Sequence, residues 1–300
     1  MAESYLATEA SPGRDWNAAG ASRRAHPRSH RFASILAGVL SLRSARGPFD
    51  IVGDVHGCLD ELLQLLTALG YRVESRADDF VVAPPQGRTL AFVGDLVDRG
   101  PSTPAVLRLV MAMMRARQAF SVCGNRDVEL VHALKGRAVR LTRGMTHTLE
   151  QLAVEPDGFR AKALHFLDSL PSHCILDEGR LVVAHAGLKE TLQGRTSPEA
   201  RAFALRGQLT GKLDAFGLPI RANWAAAYRG SALVVHGHTP VAEPLWINNT
   251  VNIDTGCVYG GHLTAFRYPE RETVSVRARA IYHRSRSPFP LNPDLAPPSQ

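Results

Sequence analysis

From about residue 48 to residue 282, short apolar runs alternate with longer stretches in which apolar residues fall three and four positions apart. Five runs read as strands: Phe49–Gly53, Leu90–Gly94, Phe120–Gly124, Leu181–His185 and Ala232–His236. Between them, Leu59, Leu62, Leu63, Leu66 and Leu69 share one helical face and Gly70 supplies the stop signal, while Val106, Leu107, Val110 and Met114 repeat that spacing after Pro101 and Pro104. Strands alternating with helices predict a layered α/β domain. Each of the first three strands ends in Gly followed by a polar residue and then turns toward a helix. Ligands of open α/β sheets bind at such carboxyl ends, so the polar residues gather where a site is expected.

The same pattern sets the boundaries. Residues 1–47 mix Ala, Ser, Gly, Pro and Arg without sustained periodicity and read as a disordered basic tail; residues 48–282 form the domain; residues 283–300 are a Pro- and Ser-rich tail. The formal charge of +7 suits an anionic partner, but seven arginines against three acids over residues 1–49 supply +4 of it, leaving the domain only mildly basic. Cys58, Cys123, Cys174 and Cys257 are dispersed with no C-x-x-C spacing. They read as small core residues of a protein kept in a reducing compartment, the cytoplasm. The apolar run from Phe32 to Leu42 is far short of the ~20 residues a membrane span needs, so no membrane association is expected.

Chemistry concentrates in five clusters. Gly53-Asp54-Val55-His56-Gly57 places a carboxylate and an imidazole two residues apart, on one side of an extended segment where both can reach one cation. Gly94-Asp95-Leu96-Val97-Asp98-Arg99-Gly100 repeats the Gly-Asp junction; Asp95 has two oxygens with which to bridge two cations, and Arg99 a planar fork that suits phosphate. The plain alternative for Asp98 and Arg99 is a surface ion pair. Asn125, in Gly124-Asn125-Arg126-Asp127, brings a neutral amide oxygen, and His185 and His238 complete the set. Any one cluster is easily a turn or a core histidine; all five in chain order point to a binuclear metal centre. Mixed carboxylate, imidazole and amide donors suit manganese first, with iron, magnesium, zinc or nickel as alternatives. Two such cations polarise a phosphoryl oxygen and lower the pKa of a shared water, so hydrolysis of a phosphate ester by in-line attack is expected. Arg99 would then neutralise the equatorial oxygens.

These motifs resemble those of the calcineurin-like metallophosphoesterase superfamily. That resemblance implies a single-domain, four-layer α/β/β/α sandwich with Asp54, His56 and Asp95 around one metal, and Asp95, Asn125, His185 and His238 around the other. A narrower resemblance, carried by Ala133–Val139, Thr148–Leu152, Val182–Glu190, Phe216–Pro219, Trp224–Gly230 and Asn248–Cys257, is to the phosphatase domain of bacterial polynucleotide kinase-phosphatases. It implies action on RNA 2′,3′-cyclic or 3′-phosphate ends, and it adds Asp254 to the metal site. The chain lacks the Gly-x-x-x-x-Gly-Lys-Ser/Thr loop of the kinase in those proteins.

Alternatives stay open at this point: a protein Ser/Thr phosphatase, a dinucleoside tetraphosphatase, or a catalytically weakened protein that binds RNA ends or a repair partner. Arg126 bears on all of them, because the resemblance implies a His there, paired with Asp98 to protonate the leaving group. Arg cannot donate a proton at ordinary pH, so Arg126 is expected either to pair with Asp98 or to clamp phosphate. Residues 194–230, with Trp224, Tyr228 and Arg229, are expected to shape the substrate pocket.

Overall fold

The computed structural model describes residues 43–76 and 79–285. The basic segment over residues 1–47 and the Pro/Ser-rich segment over 283–300 therefore lie mostly outside the described residues.

Two five-stranded mixed sheets carry the fold. In the first, β1 (Phe49–Val52), β4 (Thr89–Phe92) and β5 (Ala119–Ser121) run parallel, and β13 (His262–Tyr268) and β14 (Glu272–Arg277) extend it antiparallel, in the order β14-β13-β1-β4-β5. In the second, β7 (Leu181–Ala184), β10 (Leu233–His236) and β12 (Thr250–Asn252) are parallel and flanked by antiparallel β6 (His173–Leu176) and β11 (Leu245–Ile247), in the order β11-β12-β10-β7-β6. Two hairpins stand apart: β2 (Arg72–Arg76) with β3 (Asp79–Ala83), and β8 (Leu209–Leu213) with β9 (Pro219–Arg221).

The five expected strands are all present, and their alternation explains the layering. Phe49 and Ile51 of β1, Leu181 and Val183 of β7, and Leu233 and Val235 of β10 face one another between the sheets, with Phe120, Val251 and Phe266. Successive strand residues point to opposite faces, so Val52 and Leu90 turn outward. They meet helices α1 (Leu59–Ala68), α2 (Thr103–Arg115), α3 (Asn125–Leu134), α4 (Arg143–Ala153) and α5 (Phe159–Ser169) in the largest apolar cluster. Val182, Ala184 and Val234 face the other way, onto α6 (Pro198–Arg206) and α7 (Trp224–Ala227). The result is the four-layer α/β/β/α arrangement. Strands buried on both faces read as continuous apolar runs, which is why β1, β4, β7 and β10 were so conspicuous. No helix among the described residues is long and apolar enough to cross a membrane.

One consequence of the topology matters most for function. The carboxyl ends of β1, β4 and β5 and those of β7, β10 and β12 open onto the same end of the sandwich, so loops from both sheets converge there.

Candidate metal centre

The loop after β1 carries Asp54 and His56, the loop after β4 carries Asp95, Asp98 and Arg99, and Asn125 and Arg126 start α3 directly after β5. From the second sheet come His185 after β7, His238 after β10 and Asp254 after β12. The backbone is forced into unusual shapes to bring them together. His56, Asp95, Asp98, Arg99 and His238 all have positive φ, between 47° and 74°. Non-glycine residues rarely occupy that region, and where they do the surrounding structure holds them against a local cost. Two glycines make the approach possible. A Cβ at Gly124 would sit 2.0 Å from Asp95 Oδ1, and one at Gly237 would sit 2.0 Å from Asp54 Oδ1.

Ligand atoms of Asp54, His56 and Asp95 lie within 4.8 Å of one another, and those of Asp95, His185 and His238 do the same. Asp95 belongs to both groups. Its Oδ2 is 3.6 Å from His56 Nε2 and its Oδ1 is 3.5 Å from His185 Nε2, the placement expected of a bridging carboxylate. The imidazole tautomers follow from their second nitrogens. His56 Nδ1 faces the Val97 carbonyl at 2.9 Å and His185 Nδ1 the Val93 carbonyl at 3.2 Å, so each Nδ1 carries the proton and each Nε2 presents a lone pair to the centre. His185 Nε2 then faces both Asn125 Oδ1, another acceptor, at 3.1 Å and His238 Nδ1 at 2.9 Å, and among the described residues the buried His238 Nε2 has no partner. An imidazole lone pair set against an amide oxygen, and an orphaned imidazole nitrogen, are what a cation relieves. The residues present therefore fit divalent metal ions.

The protonation states agree. Burial lowers the pKa of His56, to about 3, and also those of His185 and His238, so all three are neutral at physiological pH and free to offer a lone pair to a cation. Burial pushes Asp54 well up, with Asp254 and Asp95 adding to the effect, and pushes Asp254 up to about 7. Cation binding ionises such carboxyls, and neutral imidazoles contribute no protons, so loading the metal-free protein near neutrality is expected to release protons, more at pH 6.5 than at pH 8. Calorimetric titration with Mn²⁺ in two buffers of different ionisation enthalpy measures this. Proton release that is the same at pH 6.5 and pH 8 would contradict the expectation.

Around the ligands lies a positive rim. The Arg99 guanidinium sits 5.4 Å from the centre of the Tyr259 ring, with Nη1 2.8 Å from His56 Nε2. Asp98 is 1 % exposed and Arg99 largely enclosed, so the surface ion-pair alternative does not hold. Arg126 shows parts of both expected roles. Its Nε is 3.5 Å from Asp98 Oδ2, too loose and misaligned for a hydrogen bond, and its Nη1 donates to Glu129 Oε2 at 2.8 Å. Its backbone N–H donates to Asp95 Oδ1 at 2.8 Å. Asp127, the last residue of that motif, fastens the two ligand loops together, Oδ1 accepting from Leu96 N–H at 3.0 Å and Oδ2 from Gly124 N–H at 2.8 Å. Asp254 stands apart from both ligand groups and exerts the largest charge effect on Asp54.

The expectation for residues 194–230 needs correcting. Trp224 and Tyr228 are buried core residues, the Trp224 ring meeting both Tyr228 and Phe203 edge-on. Trp224 fills the space beside Gly187 and His236, so it braces the histidine loops instead of lining a pocket. Arg229 donates to the Ala226 and Tyr228 carbonyls. Arg221, at the end of β9, is the residue of this stretch whose charge is felt at the centre. The residue as a whole is exposed, yet burial of its guanidinium and then Arg126 lower its pKa, and it in turn depresses His185 and His238. Nothing in its hairpin's composition marked it out.

A family model described as calcineurin-like phosphoesterase matches residues 47–242. The chain is 44 % identical over 238 residues to a bis(5′-nucleosyl)-tetraphosphatase, PrpE [asymmetrical], of Anoxybacillus flavithermus, covering 78 % of this chain and 96 % of that protein. It is 43 % identical to a protein of the same description from a Geobacillus strain, covering 78 % and 95 %. A solved structure provisionally described as a diadenosine tetraphosphatase superposes with a TM-score of 0.55 at 26 % identity, covering 77 % of this chain and 94 % of that one. These relatives correct the narrower resemblance to polynucleotide kinase-phosphatases.

Proposed function

Because the chain belongs to the calcineurin-like phosphoesterase family, and is thus a metal-dependent phosphoric ester hydrolase, we propose that its substrate is a dinucleoside polyphosphate, cut asymmetrically within the phosphate chain. Two divalent cations are assigned to Asp54, His56, Asp95, Asn125, His185 and His238. When bound there they supply Lewis acidity toward a phosphoryl group and acidify a water, with manganese the first choice.

The observation that carries the substrate class is that three arginine charges act on the centre. Arg99, Arg126 and Arg221 come from three different elements, and His238 feels all three charges. One phosphomonoester needs fewer; a chain of four phosphates supplies enough anionic oxygens for every guanidinium. In this reading Arg99 grips the phosphate under attack, its plane set by Tyr259, while Arg126 and Arg221 hold the neighbouring phosphates. Asp98 positions the two arginines beside it, and Asp254 acts through Asp54. The absence of a proton donor at position 126 fits a polyphosphate leaving group, which departs as a stable anion. The relatives' description as tetraphosphatases supports the same class.

The deciding experiment is a metal-supplemented comparison of diadenosine tetraphosphate, RNA with 2′,3′-cyclic ends and a phosphoserine peptide, with products separated by chromatography. ATP plus AMP from the dinucleotide is expected. Preferential opening of the RNA ends or cleavage of the peptide would replace this reading with one of those activities. Two metals bound with no turnover of any ester would favour a binding protein. Arg221→Ala tests the clamp: KM for the tetraphosphate should rise about tenfold, the cost of one charge-assisted contact, while a simple aryl phosphate changes little.

A further inference from the structure

Next to the hydrolytic centre lies a second set of ligating side chains that hydrolysis does not use. Cys58 caps α1 two residues after His56, Glu61 lies in the first turn of α1, and Cys257 opens the 3₁₀ turn Cys257–Tyr259, three residues after Asp254. Their exposures are 0 %, 0 % and 2 %. The two Sγ atoms and a carboxylate oxygen of Glu61 lie within 4.8 Å of one another. Glu61 is only half satisfied. Its Oε1 accepts from the Arg279 backbone N–H and from the Tyr282 hydroxyl, each at 2.8 Å, whereas the fully buried Oε2 accepts no hydrogen bond from any described residue. A buried carboxylate oxygen without a donor, beside two thiols, is an unsatisfied arrangement that native proteins rarely keep.

We propose that Cys58, Glu61 and Cys257 form a third metal site, structural in role, for a thiolate-preferring divalent cation such as zinc. On binding, each thiol loses its proton to solvent and forms one metal–sulfur bond, and Glu61 supplies an oxygen. Two protons leave for one dication bound, and no electron moves. Sulfur donors separate this site chemically from the oxygen- and nitrogen-lined hydrolytic centre, because thiolates select zinc over magnesium or manganese. The cation would tie together the loop of Asp54 and His56, the segment after Asp254, and the chain at Arg279–Tyr282. Those are the pieces whose relative positions set the geometry of the hydrolytic site.

The test is metal counting on the full-length protein, purified without chelators, combined with cobalt reconstitution. Three equivalents are expected, with a thiolate-to-cobalt charge-transfer band in the near ultraviolet. Cys58→Ser and Cys257→Ser should each lose one equivalent and the band, whereas Asp95→Asn should lose hydrolytic metal and keep the band. Two equivalents with no such band in the wild-type protein would overturn the proposal, as would a Cys58–Cys257 disulfide. Should the cysteine variants fail to fold, the wild-type cobalt spectrum still decides, and Glu61→Gln should weaken retention of the third equivalent against a chelator. The band reports on sulfur ligation alone, so it stands whatever the hydrolytic substrate proves to be.

Discussion

Asp95→Asn is expected to cut kcat/KM on any phosphate ester by on the order of 10³-fold or more, the loss of several kcal/mol of metal-supplied charge stabilisation at about 1.4 kcal/mol per tenfold. Asp95 is the one side chain common to both ligand groups, with one oxygen toward His56 and the other toward His185. Asn is nearly isosteric and is among the residues that best tolerate the positive φ of 48° found there, so the fold should survive. What changes is the chemistry of one terminal atom: an oxygen becomes an NH₂ that carries no lone pair for a cation and can donate to a neighbouring imidazole. Metal content should fall alongside activity, while the far-ultraviolet circular dichroism of the metal-free variant matches that of the metal-free parent. A variant that keeps a tenth of the parental activity with both metals bound would remove Asp95 from the bridging role.

Much of this centre was legible in the residues, and the reason is local. Asp54, His56, Asp95, Asn125, His185 and His238 each lie just past a strand that is buried on both faces, and at Asp54, Asp95, Asn125 and His238 a glycine stands directly before the polar residue. The division into two sheets was not readable from the runs, since β4 and β7 look alike and only their pairings place one beside β1 and the other beside β10. The resemblance supplied that step. Arg221 was invisible for a different reason. Its hairpin is exposed, without periodicity or a motif, and its relation to the centre exists only because β9 returns beside α6, where its Nε donates to the Arg206 carbonyl at 3.1 Å. Trp224 and Tyr228 misled because a cluster of aromatic and basic residues between two ligand histidines resembles a binding surface. Their rings instead fill the third apolar cluster, and the sequence carries no sign of which face they turn.

Arg126 leads to the second large effect. An arginine cannot protonate a departing alkoxide, so the parental enzyme is expected to depend steeply on its leaving group: fast on phosphoanhydrides and aryl phosphates, slow on alkyl phosphates. Arg126→His should raise kcat/KM for an alkyl phosphate by roughly 10²-fold, the lower end of what a positioned general acid contributes, and leave the tetraphosphate within a few-fold of its parental rate. The acceptor for such an imidazole is already in place. Asp98 is 1 % exposed and, among the described residues, neither of its oxygens takes part in a hydrogen bond. Losing the Arg126–Glu129 contact costs little, because Glu129 is about one-third exposed and solvent-screened pairs contribute weakly. Charge works against the dinucleotide, since one guanidinium of three disappears, and this is why its rate is not expected to gain. The measurement is kcat/KM across a series of phosphate esters of graded leaving-group pKa, for both proteins. A parental plot without slope, or a histidine variant slower on every ester, would mean that Arg126 does not stand at the leaving-group side of the centre.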